Sequence, residues 1–165
     1  MLRKISSLLL AVWLGAALLF SAVVAPTVFR VLRGFGLSNA SEIAGTIVNH
    51  TLAIVNVSGC LISLIVLVLA FGFARRYARW RFLSIVALLA VTAIATASGE
   101  WLIAARMRAL RAAMVIPIDQ VSLADPKRVA FATLHGYSVG ALAIAIIAAL
   151  ITFFMLGKSS PTTAT

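Results

Sequence analysis

Few side chains in this 165-residue sequence carry ligand or proton chemistry inside its long apolar stretches: His50, His135 and Glu100, with Arg106 at the edge of one. Imidazole binds transition metals and ligates haem iron, so two histidines on separate helices would suit a metal ion or an axially held haem inside a helical bundle. The chain holds just 2 histidines, so such a site needs both His50 and His135, and Glu100 is the available oxygen ligand. Two other chemistries use the same residues. In one, they titrate as steps of a proton or ion relay, the default reading for ionisable groups at membrane depth. In the other, each imidazole hydrogen-bonds a backbone carbonyl or Glu100, and the three serve packing alone. No covalent haem-attachment motif, nucleophile with a base, phosphate-cradling glycine loop or redox cysteine pair accompanies them, so the chain is not expected to be an enzyme. Cys60 is the sole cysteine, which excludes an internal disulfide framework.

The elements that must position these groups are membrane helices. The chain is 63% hydrophobic and 11% charged, with a mean hydropathy of +1.13. A soluble domain is about a quarter charged. Residues 5–29, 43–74 and 129–157 contain no Asp, Glu, Lys or Arg, and residues 82–105 contain only Glu100. A span needs about 20 apolar residues, and in lipid the backbone must satisfy its own hydrogen bonds. These four stretches therefore predict an all-α, integral membrane four-helix bundle filling residues 1–157, with a disordered tail at 158–165. The first stretch is too long for a secretory signal core of about 7–15 residues, and Pro26 is expected to kink or end its last turn.

With four spans both termini share one side. At about 1.5 Å of rise per residue, His50 and His135 lie roughly 14–15 Å from helix starts on the other side, and Glu100 approaches the same leaflet. The chain's net charge is +10, from 14 Lys+Arg against 4 Asp+Glu. In a soluble protein that would suggest nucleic acid; here the basic residues flank apolar spans, which points to the lipid bilayer and not to nucleic acid. Arg3, Lys4, Arg75, Arg76, Arg79, Arg81 and Lys158 fall on the terminal side, against Arg30, Arg33, Arg106, Arg108, Arg111, Lys127 and Arg128 on the other. The count is even. The density of the 75–81 cluster favours termini in the cytoplasm of a bacterial-type inner membrane, and anionic headgroups are the ligand that cluster would take.

Caps and stripes refine the helices. Asn39 with Glu42 predicts a capping box, and Asp125-Pro126 predicts a cap followed by an N1 proline. Gly45, Asn49, Leu52, Asn56, Gly59 and Ser63 share one face, with His50 on its flank. Thr92, Thr96 and Glu100 align on the third helix, beside Gly99. On the fourth, His135 and Ser138 lead into Ala141, Ala145, Ala148 and Thr152. Small residues let helices approach and polar ones bond across the interface, so Asn49, Asn56, Thr96 and Ser138 are expected in the bundle interior. Trp80 and Trp101 suit the two interfaces. Arg106 is expected either to anchor at headgroups or to reach Glu100 through side-chain length or a water, since the two are not on one face.

Trp13-Leu-Gly15, Ala25-Pro26-Thr-Val-Phe29, Ala44-Gly45-Thr-Ile47 with His50, Glu100-Trp101-Leu102 with Arg106, and Leu134-His135-Gly136-Tyr-Ser138 resemble, in order and spacing, the transmembrane protein 205-like family. The resemblance runs to about Phe154. It implies a four-helix membrane fold similar to copper-resistance-type modules, places His50, Trp101, Arg106 and His135 on family motif positions, and supplies no reaction. Three functions follow as expectations: metal or haem binding through His50 and His135, a small transporter or ion-pathway subunit, or a structural accessory subunit. The second needs a homo-oligomer to enclose a pore, and the third needs a larger membrane partner.

Overall fold

The computed structural model describes residues 1–72 and 74–157, so the tail and Lys158 lie outside the described residues. Four helices among them are long and apolar enough to cross a membrane: α1 Leu2–Gly34, α2 Ala40–Phe71, α3 Arg79–Ala112 and α4 Pro126–Gly157. Each runs beyond the uncharged stretch at its centre, α2 and α4 at their N-terminal ends only. Arginines and lysines extend a helix past the hydrocarbon without leaving it, because their apolar stems lie along the bundle while the charged heads reach water. Thirty-two residues, the length of α2 and of α4, make about 48 Å of helix.

Of the two outcomes expected at Pro26, a kink or the end of the helix, the ending does not occur. The proline ring removes one N–H and crowds the preceding turn. The chain answers with a π turn over Phe20–Val24, in which the Ala25 N–H reaches back to the Phe20 carbonyl, and the helix then continues to Gly34. The turn into α2 passes through Gly36 at φ 66, a left-handed conformation that a side chain would strain.

The helices pack in a ring, α1 on α2, α2 on α3, α3 on α4 and α4 on α1. The pairs α1/α3 and α2/α4 are therefore diagonal. The N-terminus, the 72–78 turn and the end of α4 share one end of the bundle, here the terminal end; the 35–39 and 113–125 connections form the loop end. The apolar core is dense in the terminal half, where Leu10, Trp13, Val66, Ile85, Leu89 and Leu156 are buried together. Trp13 is its keystone. The indole N–H donates to the Val55 carbonyl at 2.9 Å, and its ring lies over Gly59 so closely that a Cβ there would sit 2.7 Å from three ring atoms.

The loop end is held by polar contacts instead. The expected capping box does not form. Asn39 occupies the N-cap of α2 but its side chain makes no cap bond, and the backbone N–H groups of Ser41 and Glu42 donate to Asp119 Oδ2 at 3.1 and 3.3 Å. Glu42 turns instead to Arg111, 2.6 Å away at the end of α3. Asp125 does cap α4, accepting from the Lys127 N–H at 2.7 Å, one position past Pro126. Arg111 also donates to the Met114 carbonyl, Lys127 to Ala113 and Arg128 to Val121, which straps the 113–125 segment across this end.

Candidate functional site

The candidate site lies in the loop-side half, where α3 departs from α-helical geometry. Residues Ser98–Ala104 form a π turn that carries Glu100, the sole acidic residue within the long apolar stretches 5–29, 43–74, 82–105 and 129–157. Glu100 is 8% exposed. Its Oε1 accepts a hydrogen bond from Arg108 Nη1 at 2.9 Å. Its Oε2 is buried with no hydrogen-bond partner among the described residues. Eight residues along a regular α-helix would leave the two side chains about 80° apart around the axis. A π turn, with its i→i+5 bonds, rotates less per residue and swings Arg108 back toward the carboxylate's face. Arg108 itself is half exposed, so the pair bridges the buried interior and the membrane boundary.

Around this level the bundle interior is polar. Asn56, Thr96 and Ser138 are each at least 95% buried, as their stripes predicted, while Asn49 is half-buried. From the helix ends, Glu100 and Ser138 are both about 18 Å below the loop end, with Asn56 and Thr96 about 24 Å below it, near the middle of the bundle. Gly99 is a point of close approach between α3 and α2: a Cβ there would lie 3.2 Å from Asn56 Nδ2. The Thr92 and Thr96 hydroxyls donate to the carbonyls of Leu88 and Thr92 at 2.9 and 2.8 Å, leaving their oxygens as acceptors along the same stripe as Glu100. The α4 helix packs against the π turn directly.

The structure does not bring the two histidines together. His50 and His135 are both exposed, on α2 and α4, which are diagonal in the ring. No group of three His, Cys, Asp or Glu gathers among the described residues. The convergence of His50, His135 and Glu100 expected from their heights along the helices therefore fails: equal depth is not equal azimuth. Arg106 is exposed and the ion pair goes to Arg108 instead. Trp101 is 56% exposed, so the residue next to Glu100 faces outward, as an interfacial indole does.

Two features were not read from the sequence. One is the Trp13–Gly59 contact, whose signal was a glycine on the inner stripe of α2. The other is an outward small-residue stripe on α4: Ala132, Gly136 and Gly140 are exposed, and a Cβ at either glycine would meet nothing within 4 Å.

A family model described as a domain of unknown function (DUF4149) matches residues 8–115. That stretch contains α1 from Leu8 onward, all of α2 and α3, both π turns and both ion-paired arginines; His135 and Ser138 lie beyond it. The match carries no link by name to the transmembrane protein 205-like family. No curated protein and no solved structure matches significantly.

Proposed function

Since the chain belongs to the DUF4149 family, a domain of unknown function, we propose a role from its own residues: a non-enzymatic, multi-pass membrane subunit of an ion pathway, with Glu100 as the proton-exchanging group. The observation that carries this is the buried Glu100 carboxylate, with one oxygen held by Arg108 and the other unpartnered. Ionisable groups inside spans mark ion and proton routes more often than structural struts, and π turns recur at functional positions. Arg108 would hold the carboxylate's orientation and neutralise it between proton exchanges, and the Thr92–Thr96 hydroxyls would offer acceptors toward the midplane. The terminal half of the axis is filled by Trp13 and its neighbours, so a through-route needs a second copy of the chain.

In liposomes containing the full chain and a pH-sensitive dye, an imposed potential is expected to drive proton entry that Glu100→Gln abolishes. Flux unchanged by Glu100→Gln sinks the reading.

The second reading, a structural accessory subunit, is favoured by the outward Gly136 and Gly140 with His135 beside them. Glycines four apart let helix backbones approach closely. In a monomer they serve no contact and cost helix stability, about 1 kcal/mol each relative to alanine. Energy transfer between labelled copies in bilayers should fall with Gly136→Leu and Gly140→Leu if α4 is the seam. The transmembrane protein 205-like resemblance adds no reaction to either reading. Metal or haem binding by His50 and His135 within one chain finds no support in their placement.

A further inference from the structure

The charge at the two ends of the bundle is not alike. All four acidic residues, Glu42, Glu100, Asp119 and Asp125, belong to the loop end or face it, where two of them pair with arginines. The terminal end has basic residues and no acidic side chain among the described residues. There Arg81 donates to the Met155 carbonyl at 2.5 Å, and its guanidinium stacks 4.8 Å over the Tyr77 ring. That contact closes the C-terminus of α4, where a cation also meets the negative end of the helix dipole. Arg75 and Arg79 are exposed. Arg79 opens α3, and Ala78 at its N-cap has no side-chain oxygen for the N–H groups of the first turn, which leaves the positive end of that dipole facing outward.

Directly beside this lies a groove of about 420 Å³ lined by Trp80, Arg81, Ile151, Phe154 and Met155. It runs between the start of α3 and the end of α4 and is mainly apolar, with Arg81 as the basic residue of its lining and Arg79 two positions before it in the chain. Trp80 is 70% exposed, the placement of an interfacial indole. An apolar slot at an end that bears exposed arginines and no acidic side chain among the described residues is complementary to one kind of molecule available at that depth: a lipid with an anionic headgroup.

We propose that this groove is a binding site for an anionic phospholipid, with one acyl chain lying in the slot and the phosphate at the N-terminus of α3 beside Arg75 and Arg79. It stands apart from the Glu100 reading and does not depend on it. Arg81 lines the site and fastens α4, so the lipid would bridge α3 and α4.

The test uses the full chain in detergent micelles with phosphatidylglycerol or phosphatidylcholine added at equal concentration, and native mass spectrometry to count bound lipids. Phosphatidylglycerol is expected to be retained in preference. Arg75→Gln with Arg79→Gln should weaken its retention about fivefold for each charge removed. Ile151→Trp, which fills the slot and leaves every charge in place, should reduce retention as well. Equal retention of the two lipids overturns the proposal, as does phosphatidylglycerol binding that survives the double arginine variant. Binding that resists Ile151→Trp overturns it too, because the headgroup alone would then be recognised. Should Ile151→Trp fail to fold, the arginine variant, whose side chains are exposed, decides by itself.

Discussion

The two halves of the bundle are built by different means. The terminal half is close-packed: a tryptophan locked over a glycine, apolar side chains at the axis, regular α-helix, an arginine bonded to a carbonyl and others left exposed. The loop half holds both π turns, the buried carboxylate, two ion pairs and an aspartate that caps a distant helix. Between membrane helices, lipid tails are as apolar as leucine, so close packing rather than transfer from water holds the structure. It follows that the terminal half should carry the stability, and the loop half the groups that can change state.

The largest test of that division is Trp13→Ala. It opens a void in the densest layer and leaves the Val55 carbonyl without this donor, and truncating a core tryptophan costs about 3–5 kcal/mol. Thermal unfolding in detergent, followed by circular dichroism, should show a large fall in Tm. Next comes Gly59→Ala. Its Cβ would stand 2.7 Å from the indole ring, and overpacking of a filled core costs about 1–3 kcal/mol; the paired variant Trp13→Phe with Gly59→Ala should recover part of the loss. At the loop end the effects should be smaller. Asp119→Ala removes the acceptor for two N–H groups at the start of α2, a cap worth about 1 kcal/mol. Faster amide exchange confined to the first turn of α2 would show it. An Asp119→Ala variant that melts as early as Trp13→Ala would erase the distinction between the halves.

The same division explains what could be read from the sequence. Stripes of small and polar residues at helical spacing turned Asn56, Gly59, Ser63, Thr92, Thr96, Ser138 and Thr152 inward, because periodicity fixes azimuth and azimuth fixes burial. His135, three positions before Ser138, is about 60° off that stripe and falls outside it. A residue at the edge of a stripe is not placed by spacing alone. The Arg108 pairing depends on the π turn, which rotates everything beyond it, and no local pattern marked a π turn in α3. The α2 cap comes from Asp119, 78 and 77 positions from the groups it caps, so a rule reading three residues ahead found Glu42 and assigned it the wrong partner. Proline chemistry was visible at Pro26, but the way the helix absorbed it was not: a register shift cost less than ending the span.

The smallest expected stability change is also the most informative. Glu100 is buried, yet one of its oxygens has no partner among the described residues and its cation, Arg108, is half exposed. Removing the carboxylate takes away an incompletely satisfied polar group and strands no buried charge, since the Arg108 head can move out to headgroups. Replacing buried polar groups by apolar ones of similar size is often neutral or stabilising. Glu100→Leu should therefore leave Tm unchanged or raise it, while abolishing proton entry in liposomes as Glu100→Gln does. Arg108→Gln makes the complementary case: it leaves the carboxylate buried without its cation, and should lower Tm more than Glu100→Leu although its own side chain is the more exposed. If Glu100→Leu instead unfolds the protein, the carboxylate is a strut like Trp13. The loop half would then be a second structural core, and the ion-pathway reading would lose its support.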